Sequence, residues 1–263
     1  MRHFSLLLIA ILLTACSENS KITDIFADWT AEEFYSEASQ ALKSGEFETA
    51  IKQLETLEAR FPFSPYAKQA QLDVAYAYYK FDEADSAIAA ADRFIRLNPR
   101  DPHVDYAWYL KGLSNFMRGG GILDGWFPRD PAEHDIRSLN QSIQDFSTLV
   151  RRYPDSKYAG DSYQRLLFLR NKLADHEIKV AEYYLKRGAW LAAARRAQYT
   201  IEHYQQTPAS RKALQILELA YNELNLPELV TDTRLVIQAN QQDKLIQTAE
   251  ISETDMTPPP RLN

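Results

Sequence analysis

Cysteine is all but absent from this chain: one residue in 263, Cys16. A single thiol excludes an internal disulfide, so a folded body of this size must be held by packing alone. Glycine is scarce, at eight residues, and no glycine-rich loop follows a strand-like run, which excludes the usual phosphate cradle. Beyond the first thirteen residues no apolar run approaches the ~18–20 residues a membrane-spanning helix needs. Lysine and arginine form no basic run and the formal charge is −6, which argues against nucleic acid, whose binding rests on clustered cations. The histidines His103, His134, His176 and His203 are scattered, with no pair at metal-ligand spacing. Glu133, His134 and Asp135 adjoin in "PAEHD", but neighbours on a loop do not converge on one ion. No nucleophile–base set is present. Neither an enzyme nor a cofactor or metal is expected.

What the chain does have begins at its start. Arg2 and His3 precede "FSLLLIAILL" (4–13), ten residues of which nine are apolar. That is too short to cross a bilayer and suits the apolar region of a secretory signal. Leu13-Thr14-Ala15-Cys16 then resembles the lipobox of bacterial lipoproteins. In that group the chain is cut before the cysteine, the thiol carries diacylglycerol, and the new amine is acylated. A plain secretory signal with a chance cysteine is the alternative. Ser17 stands where an Asp would resemble an inner-membrane retention signal, so the likeness implies a lipid anchor at Cys16 on the periplasmic face of the outer membrane. Removing residues 1–15 takes away one charged side chain, Arg2, and leaves 248 residues at −7.

Self-comparison shows a period of 37 residues. "GEFETAIKQLETLEARFP" ends at Pro62 and "EADSAIAAADRFIRLNP" at Pro99, and "RSLNQSIQDFSTLVRRYP" ends at Pro154 after an insertion. "AEYYLKRGAWLAAARRAQYTIEHY" is a fourth unit and "LAYNELNLPELVTDTRLVIQAN" a weaker fifth. The units resemble the tetratricopeptide repeat, a ~34-residue pair of antiparallel helices. In that register the small residue of the first helix is Ala38, Ala75, Gly112 and Ala181, with Glu218 breaking the pattern in the fifth unit. The small residue of the second helix is Ala50, Ala87, Ser142, Ala193 and Val230. The expected fold is all-α: a solenoid of five helix pairs. No Gly or Pro interrupts Asp161 to Arg187, which predicts one long helix joining the third and fourth repeats. Residues 119–137, "RGGGILDGWFPRDPAEHD" and its flanks, read as a loop insertion. The division expected is a signal peptide (1–15), a flexible lipid-anchored linker (16–30), repeats 1–3 (31–155), the joining helix with repeats 4–5 (156–240), and a disordered tail (241–263).

The first helix of each such pair lines the concave side of the solenoid. Counting its inner positions in the first three repeats gives Leu42, Leu72 and Leu113 together with the groove candidates Tyr35, Gln69, Tyr76, Tyr79, Tyr106, Tyr109 and Phe116. Tyrosine offers an apolar body and a polar tip, which suits a peptide-binding groove. The competing reading is core packing between neighbouring hairpins. In the fourth repeat Arg195 and Arg196 point away from the small-residue contact of Ala193 on a 3.6-residue helix. Neither has an acidic residue four positions earlier, where Leu191 and Ala192 stand, so no local ion pair is expected.

"RFPFSPY" (60–66), "QLDVAYAYYK" (71–80), "RFIRLNPRDPHVDY" (93–106) and "VAEYYLKRGAW" (180–190) are more specific than any repeat consensus. Together with the lipobox they resemble the BamD family, lipoproteins of the outer-membrane β-barrel assembly machinery, over about residues 31 to 240. The resemblance implies a non-enzymatic scaffold. Its C-terminal repeats would bind a BamA-like barrel-inserting subunit, with Arg196 placed where the family has an arginine facing a partner carboxylate and Arg195 beside it. Its N-terminal groove would take a BamC-like lipoprotein or segments of unfolded outer-membrane proteins, and a BamE-like lipoprotein is a further implied partner. A periplasmic repeat scaffold for peptidoglycan or cell-division enzymes is the alternative of another class.

Overall fold

A computed structural model describes residues 26–118 and 136–242, and the ordered elements among them are ten α-helices. They are α1 (Ala31–Ser44), α2 (Phe47–Arg60), α3 (Ala67–Lys80), α4 (Ala84–Leu97), α5 (Val104–Arg118), α6 (Ile136–Arg152), α7 (Ala159–Lys186), α8 (Trp190–His203), α9 (Pro208–Glu223) and α10 (Pro227–Gln242). Each packs chiefly on its chain neighbours, as the five pairs of a solenoid should. The signal segment, Cys16, most of the insertion (119–135) and the tail from 243 lie outside the described residues. The end of the expected insertion, Ile136–Arg137, belongs to the first turn of α6, and α10 runs to Gln242, two residues into the expected tail.

The period is written into the turns. Within a pair, the connection needs one residue with positive φ. It is Gly45 (φ 80°), Asp82 (65°), Gly188 (68°) and Asn225 (56°), each pair of these positions 37 residues apart. Glycine, asparagine and aspartate tolerate the left-handed region best. Between pairs, helices α2, α4 and α6 stop at Phe61, Asn98 and Tyr153, each before a proline, whose ring disfavours helical backbone in the residue preceding it. At the start, Thr30 and Glu33 form a reciprocal cap: Thr30 N donates to Glu33 Oε2 (2.7 Å) and Glu33 N to Thr30 Oγ1 (3.3 Å).

Small residues set how closely each pair packs. Ala38, Ala50, Ala75, Ala87, Ala181 and Ala193 are fully buried, as is Ser142. The third pair is the tightest. Ser142 Oγ donates to the Gly112 carbonyl (2.8 Å), and a Cβ built on Gly112 would lie 2.6 Å from Phe146 Cε1, with two more ring atoms within 3.0 Å. Alanine there would gain ~1 kcal/mol of helix propensity, but overpacking a buried ring costs ~1–3 kcal/mol. Gly112→Ala should therefore lower stability by about 1 kcal/mol in urea denaturation. An increase would show that the Phe146 ring swings aside freely.

Two buried apolar clusters run along the solenoid, and α7 belongs to both. Leu169 and Leu173 close the cluster of the first three repeats, while Ala174, Ile178 and Ala181 open that of the last two. The hand-over thus falls within α7, between 173 and 174, inside the long helix expected to join the third and fourth repeats. The weak fifth unit is explained by α10, where, among the described side chains, only Val230 and Thr233 are buried. Glu218, at the position that should be small, faces outward enough to accept from Arg234 Nε (2.7 Å). The linker also needs correction. Its last residues are packed: Phe26 and Trp29 stack edge-on at 4.5 Å, Trp29 lies 5.2 Å from Phe34, and Arg60 Nη1 donates to the Phe26 carbonyl (2.7 Å). Residues 26–30 are therefore an apolar lid on the first repeat and not a flexible tether.

The base of the third-repeat insertion is pinned from both sides. Arg118, the last residue of α5, donates to Asp85 Oδ1 (2.6 Å), Asn115 Oδ1 (2.9 Å) and Ser138 Oγ (2.8 Å) on α6. Two turns earlier on α5, Lys111 lies between Asp92 (2.9 Å) and the buried Asp145 (3.3 Å), which also accepts from Asn115 Nδ2 (2.7 Å). Whatever the insertion does, the chain leaves and re-enters the solenoid at a fixed neck.

Candidate functional site

The concave face of the first repeats divides the seven residues named from the sequence into two groups. Tyr35, Gln69, Tyr76 and Tyr79 on α1 and α3 are partly exposed. Tyr106, Tyr109 and Phe116 on α5 are 1%, 1% and 4% exposed. These three are core, not groove surface. The physical reason is α7 and the turn before it. Tyr158 stacks on Tyr109 (4.9 Å, 20°) and lies 5.1 Å from Tyr106, and Phe168 meets Phe116 edge-on at 6.0 Å. The inner positions of repeat 3 are covered by the helix that follows them.

The open part of the face is organised by a carboxylate that the aromatic count missed. Asp73, 1% exposed, accepts from Tyr35 Oη (3.1 Å) on α1 and from Gln69 Nε2 (3.0 Å) on its own helix. Its signal in the sequence is an acid inside the otherwise apolar and aromatic "QLDVAYAYYK". Tyr35 also stacks on Tyr66 (5.2 Å, 24°), so its ring is held from two sides. Deeper in, Tyr109 Oη donates to Asp161 Oδ2 (2.5 Å), and Arg165, itself 2% exposed, donates from Nε to the same oxygen (2.6 Å). The hydroxyls of Tyr106 and Tyr158 are buried without a hydrogen-bond partner in the described structure. Burial pushes the pKa of Tyr79, Tyr106, Tyr109 and Tyr158 upward, so all four stay neutral donors at ordinary pH.

The second surface lies on α8. Arg195 and Arg196 are both exposed, beside a hollow whose walls include Tyr184, Trp190, Leu191 and Leu224. The inner face of α8 is as the register requires: Ala193, Ala197 and Thr200 are fully buried. Arg196 is not unpaired, however. Its Nη1 meets Glu177 Oε2 of α7 at 3.0 Å, with Arg196 46% exposed and Glu177 14%. A search four residues back along one helix cannot find a partner nineteen residues away on the neighbouring helix. The pair leaves Arg196 oriented and still reachable from solvent, on the same hollow as the exposed Leu191. Among the described residues no group of three or more His, Cys, Asp or Glu could hold a metal, and no helix is long and apolar enough to cross a membrane. His134 and Cys16 lie outside those residues.

Comparison with known proteins agrees with this architecture. The family model described as YfiO, outer membrane lipoprotein, matches residues 27–235. "Outer membrane protein assembly factor BamD" of Neisseria meningitidis serogroup B is 45% identical over 231 residues, 87% of this chain and 86% of its own. The protein of that name from Vibrio cholerae serotype O1 is 38% identical, covering 87% of this chain and 94% of its own. That from Haemophilus influenzae is 31% identical, covering 98% of each. The solved structure of MamA aligns over 84% of this chain and 97% of its own, at 15% identity and a TM-score of 0.35, too distant to bear on function. With five helix pairs, a match spanning nearly all the described residues and such relatives, the chain belongs to the BamD (YfiO) family of outer-membrane lipoproteins.

Proposed function

We propose that this protein is a non-enzymatic scaffold in the assembly of outer-membrane β-barrels. Its C-terminal repeats hold a BamA-like barrel-inserting subunit, and its N-terminal concave face takes segments of unfolded outer-membrane proteins or of a BamC-like lipoprotein. A BamE-like lipoprotein completes the expected partners. The observation that carries the reading is the Arg195–Arg196 pair exposed beside an apolar hollow between α7 and α8. An arginine fork can take a partner carboxylate through two parallel hydrogen bonds, and an adjacent hollow with Trp190 and Leu191 supplies apolar area for the same contact. For the N-terminal face, support comes from Tyr35, Gln69, Tyr76 and Tyr79, which are partly open, with Tyr35 held by Asp73 and Tyr66, and from two buried hydroxyls that have no hydrogen-bond partner among the described residues.

The test is Arg196→Glu. The exposed pair with Glu177 contributes ~0–1 kcal/mol, so the folded body should lose no more than about 1 kcal/mol. Breaking a partly buried arginine–carboxylate contact with a partner costs ~2–5 kcal/mol, so co-purification with the barrel-inserting subunit should be lost. Reversing the charge of the partner carboxylate should restore part of it. Glu177→Gln, which releases Arg196 without removing it, should leave the complex intact. Full binding by Arg196→Glu, or co-isolation of murein enzymes in place of a barrel subunit, would overturn the reading.

A further inference from the structure

The two most exposed large apolar side chains among the described residues are Phe63 at 98% and Leu97 at 63%. They sit on one edge. Phe63 lies in the turn after α2, and Leu97 ends α4, the parallel helix of the next repeat. Arg93 and Glu58 tie these helices close to their ends (2.9 Å), and Lys68 at the start of α3 reaches Asp101 in the turn after α4 (3.6 Å). The turn that presents Phe63 is stiff: prolines 62 and 65 flank it, Ser64 N donates to the Phe61 carbonyl (3.0 Å), and Ala67 N donates to that of Ser64 (3.1 Å). At the matching place of the next repeat, 37 residues on, stands Arg100, exposed like Arg96 beside Leu97.

The chain enters the solenoid at this same edge. Arg60, the last residue of α2, holds the carbonyl of Phe26 at 2.7 Å. Cys16 is ten residues earlier, and at most ~3.3–3.6 Å per residue the tether cannot exceed about 35 Å. A lipid at Cys16 would therefore keep this edge, and not the far end of the solenoid, close to the bilayer. We propose that the Phe63–Leu97 edge rests on a phospholipid leaflet, Phe63 and Leu97 entering the head-group boundary and Arg96 and Arg100 meeting lipid phosphates. This rests on the reading that Cys16 carries the anchor. Aromatic and aliphatic side chains flanked by arginine are what an interfacial contact uses, and a large apolar residue 98% exposed on a stiff turn has no use inside the fold. The edge would then set the tilt of the solenoid on the membrane, with α8 and its arginine pair held away from the bilayer for a protein partner.

A body with Cys16→Ala and an oligohistidine tag at its mature N-terminus can be tethered to phosphatidylethanolamine–phosphatidylglycerol vesicles through a nickel-chelating lipid. The tether then stands in for the acyl chains, so the outcome does not depend on acylation of Cys16, which fractionation of the intact protein reads separately. In this background Phe63→Cys is the only thiol and accepts an environment-sensitive fluorophore. Phe81→Cys, at the opposite end of α3 and 45% exposed in the native chain, serves as control. On vesicles the label at 63 should shift to the blue and lose severalfold of its quenching by aqueous iodide, while the label at 81 changes in neither respect. Equal iodide access at both positions would overturn the proposal. Protection of position 63 that appears only when partner proteins are added would also overturn it, making the edge a protein contact.

Discussion

Cys16→Ala is expected to move this protein from the membrane to the soluble fraction while leaving its fold unchanged. Each buried methylene of an acyl chain contributes ~0.8 kcal/mol, so two or three chains make detachment negligible on the time of an experiment, whereas a single side chain at the head-group boundary cannot hold the body alone. No described helix is apolar enough to substitute as an anchor. The fold should be indifferent, because the described packing, which includes Phe26 and Trp29, lies ten and more positions beyond the cysteine. The measurement is fractionation after a high-salt wash in cells lacking the partner proteins, with urea denaturation of the released body beside it. Retention in the membrane under those conditions would refute the lipid anchor. A large fall in stability would mean that residues before Phe26 pack on the solenoid.

The second large effect concerns the joint between the third and fourth repeats. Asp161, on the first turn of α7, receives both the hydroxyl of Tyr109 and Nε of Arg165, and Arg165 is 2% exposed. Removing the carboxylate strands a buried guanidinium, which costs ~3–5 kcal/mol, and leaves a buried tyrosine hydroxyl without its acceptor. Asp161 is itself 30% exposed on its side chain, so water offsets part of the loss. Asp161→Ala should accordingly cost about 3 kcal/mol in urea denaturation. Asp161→Asn keeps an acceptor and should cost less. Asp161→Ala combined with Arg165→Met should recover most of the loss, since removing both charges avoids the stranded one. A loss below ~1 kcal/mol for the alanine variant would show that solvent reaches Arg165 and that the joint is looser than its burial implies.

The groove and the interface show where sequence reasoning stops. Counting inner positions repeat by repeat put seven side chains on one surface, and the structure leaves four there. Tyr106, Tyr109 and Phe116 obey the same spacing as Tyr35 and Tyr76, but α7 lies over them, and no spacing rule within a repeat records what the next repeat covers. Asp73 escapes such a count because a lone acid on a helix is usually a solvated one; its acceptor role depends on Tyr35 of another helix. Arg196 lacks a partner on its own helix and finds one on α7.

By itself, the sequence determined what is local and repeated: the 37-residue period, the helix pairs, the prolines that end the second helices, and the small residues at the pair contacts. Each rests on backbone sterics or on helical periodicity, which act over a few residues and recur with the unit. The tertiary structure alone decided which aromatics are core and which are surface, that Phe26 and Trp29 close the first repeat, that Glu177 holds Arg196, and that Phe63 and Leu97 share the edge where the chain enters. Those outcomes depend on contacts between helices whose separation in sequence ranges from about twenty to fifty residues, and they were set by burial and charge pairing that only the assembled solenoid brings together.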